Sequence, residues 1–170
     1  MIKSNSLLPI ILFLIPIIGI GQTDCKNEPI YWLQLDLTPA FDESSTILIQ
    51  CDSSKMKLHF KTYNYEDEKL INESHEIPAE IYKDFKDLIL PLGINSMQAK
   101  PNLYLADGLT AEITFIDRFE NFNKFEMRIP MEKGRNLVLI KAIISLAKKL
   151  EIKKEAKEYL NKIGEFYLKH

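Results

Sequence analysis

Between Leu109 and Leu150 the spacing of apolar residues changes from the strand period to the helix period, and this change constrains the architecture more than any other feature of the chain. Leu109, Ala111, Ile113 and Phe115 alternate with Thr110, Glu112 and Thr114, and Phe125, Met127 and Ile129 alternate with Lys124, Glu126 and Arg128. Period-two alternation predicts strands with one buried and one wet face. Leu103 and Leu105 precede an Asp107-Gly108 pair, which predicts a tight hairpin with positive φ values and antiparallel pairing to the segment from Leu109. After Pro130 and Gly134, Asn136 is placed to cap a helix over 136–150. Leu139, Ile143, Leu146, Ala147 and Leu150 form its stripe, widened by Leu137, Val138, Ile140 and Ile144. A helix this apolar must be covered on most sides, and the dry face of the sheet is the surface that can cover it.

Upstream the same grammar recurs. Tyr31, Leu33, Leu35 and Leu37 alternate with Trp32, Gln34 and Asp36 up to Pro39, which predicts a strand with Trp32 on the side away from the leucines. Segments 46–51 and 56–63 flank Asp52-Ser53-Ser54-Lys55, whose short polar side chains predict a hairpin turn. Met56, Leu58 and Phe60 then share one face, and Lys55, Lys57, His59, Lys61 and Tyr63 share the other. That cationic stripe is read first as the soluble side of a sheet edge and second as a surface for an anionic ligand. Leu70 to His75 is a short strand, and Pro78 opens a helix with Ile81, Tyr82, Phe85, Leu88 and Ile89 on one face, stopped before Pro91. Past Leu150 the apolar phase slips to Ile152, Ala156, Tyr159, Leu160, Ile163, Phe166 and Tyr167, which predicts a break near 151–153 and a second amphipathic helix docked on the domain. The fold class expected is α+β: an antiparallel sheet of about six to seven strands with helices packed on one face.

The first residues belong to a different class of segment. Lys3 and a short polar stretch precede an apolar run from Leu7 to Ile20 that contains Pro9, Pro16 and Gly19. The run is shorter than the ~20 residues of a membrane span, so residues 1–21 read as a signal peptide cleaved before Gln22, with an uncleaved anchor as the alternative. Gln22-Thr23-Asp24 forms no lipobox before Cys25. Residues 22–170 are then a single α+β domain, secreted or periplasmic.

An even pair of cysteines in an exported chain predicts a Cys25–Cys51 disulfide, which would contribute roughly 3.5 kcal/mol through the unfolded state. The alternative is two free thiols. The formal net charge of −2 hides a division, because residues 22–123 hold 9 basic and 18 acidic residues whereas 124–170 hold 12 basic and 6 acidic. Acids then solvate strands and loops, and lysines solvate helices. A nucleic-acid partner is excluded by the acidic balance.

Motifs for chemistry are missing at the level of spacing. Gly93, Gly108, Gly134 and Gly164 are too far apart to cradle a phosphate, and His59, His75 and His170 have no ligand spacing for zinc. The consecutive carboxylates Glu66-Asp67-Glu68 lack the spacers of a calcium loop. His59 and Cys51 face each other in poor register for Cys-His catalysis, and no acid pair among Asp36, Asp42, Glu43 and Asp107 is singled out. No catalytic residue, cofactor or metal site is therefore assigned, and no motif resembles that of a named family.

One surface feature remains. The connection 118–123 places Phe119 and Phe122 beside Arg118, Asn121 and Asn123, and a bare turn needs no aromatic residue. The phenylalanines are either a lid over the end of the core or anchors for a partner, so Arg118, Phe119 and Phe122 are the candidate interaction residues. The functional expectation is a non-catalytic binding or protein-interaction module of a bacterial-type envelope. A carrier of small apolar ligands, with its pocket between sheet and 136–150 helix, is the second reading, and a hydrolase the third.

Overall fold

A computed structural model describes residues 25–40, 42–63, 69–98, 108–129 and 134–168. Residues 1–21, assigned above to a signal peptide, lie outside them, as does the 66–68 acidic cluster. The strands are β1 (Ile30–Pro39), β2 (Ser44–Asp52), β3 (Lys55–Tyr63), β4 (Lys69–Glu76), β5 (Leu109–Asp117) and β6 (Phe122–Ile129). They form one antiparallel sheet in the order β4-β3-β2-β1-β5-β6. Helices α1 (Ala79–Ile89), α2 (Arg135–Lys149) and α3 (Lys154–Tyr167) complete the α+β fold.

Alternation sorts the sheet into two surfaces. Leu33, Leu35 and Leu37 of β1, Ile47 and Ile49 of β2, Leu58 and Phe60 of β3 and Ala111 and Ile113 of β5 are all buried on the helical side. Against them lie Leu139, Ile140, Ile143 and Ala147 of α2, flanked by α1 and α3. Tyr159 fastens α3 to β2: its hydroxyl donates to the Glu43 carbonyl at 2.8 Å and lies 3.1 Å from Ser45 Oγ. Burial pushes that phenol up to about 12, outweighing the hydrogen bond with Ser45. Cys25 and Cys51 are joined, with 5.6 Å between their Cα atoms, which pins the segment before β1 to the end of β2.

Several expectations need correction. Both edges of β5 are taken, by β1 and β6, so it has no edge left for the hairpin expected across Asp107-Gly108; residues 99–107 lie outside the described residues. Gly108 has no positive φ, and its requirement for glycine is contact: a Cβ there would sit 2.7 Å from the Ile129 carbonyl oxygen. Asn136 does not cap α2. Gly134 occupies the N-cap at φ 74°, a backbone state suited to glycine, and the Asn136 amide instead donates to the Gln98 carbonyl at 3.2 Å. The stripe residues Leu88, Val138 and Phe166 are exposed, because the buried arcs are narrower than the apolar ones and Leu168 supplies the last contact after α3. Finally, the cationic stripe is not on a sheet edge, since β4 lies outside β3.

Candidate functional site

The β5–β6 tip is built by one carboxylate. Asp117 Oδ1 accepts from the backbone N–H groups of Phe119 (2.8 Å) and Asn121 (3.0 Å), and Oδ2 accepts from the side-chain amides of Asn121 (2.8 Å) and Asn95 (3.2 Å). Glu120 N–H returns to the Asp117 carbonyl at 3.0 Å, and Glu120 itself has φ 62°. Together these make a three-residue hairpin loop closed by a left-handed residue, a form that usually places glycine there. Burial alone would raise the Asp117 pKa, but the hydrogen bonds from Asn121, Phe119 and Asn95 outweigh it and hold the group below its ordinary value. The carboxylate therefore stays ionised at neutral pH.

Neighbouring segments hold the tip in place. Asn123 Nδ2 donates to the carbonyls of Ile94 (2.7 Å) and Met97 (3.1 Å), while Arg118 donates through its backbone to Pro29 (3.3 Å) and through Nη1 to the Asn27 carbonyl (3.1 Å). The Arg118 guanidinium also sits 4.6 Å from the centre of the Phe119 ring. On this scaffold Phe119 is 71% exposed and Phe122 63% exposed, so neither ring covers the core. They point to different sides. Phe119 forms a wall of a pocket of about 220 Å³ whose apolar lining includes Leu90, Ile94 and Phe115, whereas Phe122 pairs with Ile116, which shares the open face of the sheet.

Arg118, Phe119 and Phe122 thus lie together on one ordered tip, at the same end of the sheet as the disulfide and the β2–β3 turn. Asp117, Asn95 and Asn123 were not singled out in the sequence. Asp117 and Asn121 carry a usable signal, an acid followed four residues later by asparagine between alternating runs, which is turn chemistry. The roles of Asn95 and Asn123 depend on contacts across 22 to 29 residues and have no local signature.

Elsewhere, His75 Nε2 lies 2.9 Å from Glu73 Oε2, the one His-carboxylate contact of its kind among the described ion pairs. The same carboxylate accepts the N–H of Lys153 at the start of α3, so its neighbours are structural ones. Among the described residues no cluster of three or more His, Cys, Asp or Glu is placed to hold a metal ion. No helix there is long and apolar enough to cross a membrane. No family model matches the chain, and no curated protein matches it in sequence.

Proposed function

We propose that this protein is an exported, non-catalytic protein-interaction module of a bacterial-type envelope, and that the β5–β6 tip is its binding surface. The observation that carries the reading is the exposure of Phe119 and Phe122 on a turn fixed by the four hydrogen bonds to Asp117. Ordering a loop in advance lowers the entropy lost on association, and aromatic residues beside arginine carry interface energy efficiently. The adjoining 220 Å³ pocket offers a socket for an apolar side chain of the partner.

Export is supported by the Leu7–Ile20 run together with the Cys25–Cys51 disulfide. N-terminal sequencing separates secreted or periplasmic protein beginning at Gln22 from protein anchored by an uncleaved signal. The apolar-carrier reading has less support, because Leu35, Ile47, Leu58, Ile113, Leu139 and Ile143 are all 0% exposed and leave no accessible space where a ligand would sit between sheet and α2.

Affinity capture from envelope extract, followed by mass spectrometry, tests the module. Truncating an anchor typically removes 2 kcal/mol or more of binding, roughly thirtyfold in affinity. The double variant Phe119→Ala, Phe122→Ala should lose the captured partner while keeping its thermal midpoint. Retention of the same partner at the same affinity sinks the assignment of the tip.

A further inference from the structure

Among the described residues no helix lies on the second surface of the sheet, and its residues are unlike those of a merely solvated face. β1, β2 and β3 form a shallow groove of about 440 Å³, with Trp32 near one end, Tyr63 at the other, and Leu48 and His59 paired across its middle. From the strand register, Trp32 and Tyr63 are six residues apart along the strands and two strands apart, a diagonal of roughly 22 Å between Cα atoms. Such a groove fits an extended ligand better than a single ring.

Its polar groups are specific in kind. Gln34 donates to Asp36 at 2.7 Å and Gln50 contacts His59 Nε2 at 3.1 Å, so each glutamine is oriented while its carbonyl remains able to accept. Charge is rationed. Lys55 is paired with Glu76 (2.6 Å) and Lys57 with Asp52 (2.5 Å), whereas Lys61, which lines the groove, has no carboxylate partner among the described residues. His59 sits between Lys57 and Lys61. The groove therefore presents aromatic rings, oriented amides and the Lys61 ammonium, with the Asp36 carboxylate at its β1 side held by Gln34 and Thr46.

We propose that this groove binds an acidic oligosaccharide, with pyranose rings against Trp32 and Tyr63, hydroxyls on Gln34 and Gln50, and a uronate carboxylate on Lys61. Amides match hydroxyl groups because both donate and accept, and aromatic rings offer an apolar face with a polar tip. A single available lysine suits a monovalent carboxylate. Nucleic acid would need a row of free cations, which Glu76 and Asp52 remove by pairing with Lys55 and Lys57. A protein partner would want a drier floor than one whose aliphatic contribution is Leu48.

Trp32 is the single tryptophan of the chain, so its emission reports on the end of the open face where it lines the groove. Galacturonate, glucuronate and mannuronate oligomers of three to six units are titrated into the full mature protein, with their methyl esters as neutral controls. At least one acid series should change Trp32 emission saturably and bind about tenfold or more tightly than its ester. Lys61→Gln should abolish that preference and Lys61→Arg restore it, while Tyr63→Ala weakens acid and ester alike, each variant keeping the wild-type melting curve. Absence of any saturable response, equal binding of acid and ester, or an unchanged preference in Lys61→Gln overturns the proposal. A concentration-dependent emission change without sugar, matched by dimerisation in sedimentation, would assign the face to a second copy and overturn it too. Phe119→Ala leaves the groove intact, so loss of the tip's partner and loss of sugar binding are separately readable.

Discussion

The backbone N–H of Lys153 donates to the carboxylate of Glu73 at 3.0 Å, across 80 residues of chain. Lys153 precedes the first residue of α3, and Glu73 lies on the edge strand β4 with its side chain 6% exposed. A buried carboxylate at the start of a helix meets N–H groups that have no intrahelical partner and the positive end of the helix dipole. Glu73→Ala should therefore cost about 1.5 to 3 kcal/mol, the range for a hydrogen bond to a charged group. Urea unfolding measures it, and a loss under about 0.5 kcal/mol would mean that α3 finds its cap elsewhere.

Ile143 is 0% exposed at the centre of α2, between the sheet and the flanking helices. Ile143→Ala removes its buried methyl groups and leaves a cavity, for which the expected loss is about 2 to 5 kcal/mol. Denaturant unfolding of the monomer decides. A loss below about 1 kcal/mol would say that the layer can collapse around the smaller side chain.

Periodicity carries much of the fold and little of its connectivity. The alternation in 109–115 and 125–129 and the stripe of α2 are local consequences of burying one face, so they are legible residue by residue. Partner choice is not local: β5 pairs with β1 as well as β6, and nothing in Asp107-Gly108 reveals that Gly108 is needed for its approach to Ile129. Likewise Lys57 and Lys61 look like edge lysines until β4 is placed outside them. The tip was visible through its two unneeded phenylalanines. Its rigidity was not, because Asn95 and Asn123 act through backbone and side-chain groups distant in sequence.

At that tip Glu120 adopts φ 62°, a state that costs a residue with a Cβ roughly 1 kcal/mol relative to glycine. Glu120→Gly relieves the strain without touching the four hydrogen bonds to Asp117. Stability should rise by up to about 1 kcal/mol, set against the extra unfolded-state freedom of glycine. A clear loss of stability would show that the Glu120 side chain contributes contacts beyond its backbone role.

His59 gives the groove a dependence on acid. Its pKa is held below the ordinary histidine value first by burial, which disfavours the charged form, and then by Lys57 and Lys61, with Asp52 pulling weakly the other way. The unfolded chain, with a histidine pKa of about 6.5, then binds a proton that the folded protein resists. Stability from this group is fully present above that unfolded value and is lost as pH falls from about 6.5 through the lower folded pKa. Urea unfolding from pH 7.5 to 5.0 should show wild type losing stability relative to His59→Gln, which keeps a neutral hydrogen-bonding side chain beside Gln50. The other histidines are common to both proteins and cancel in the difference. Added salt should shrink the difference by screening Lys57 and Lys61, yet leave the part due to burial. Parallel pH profiles for the two proteins would mean that His59 protonates as freely in the groove as in the unfolded chain.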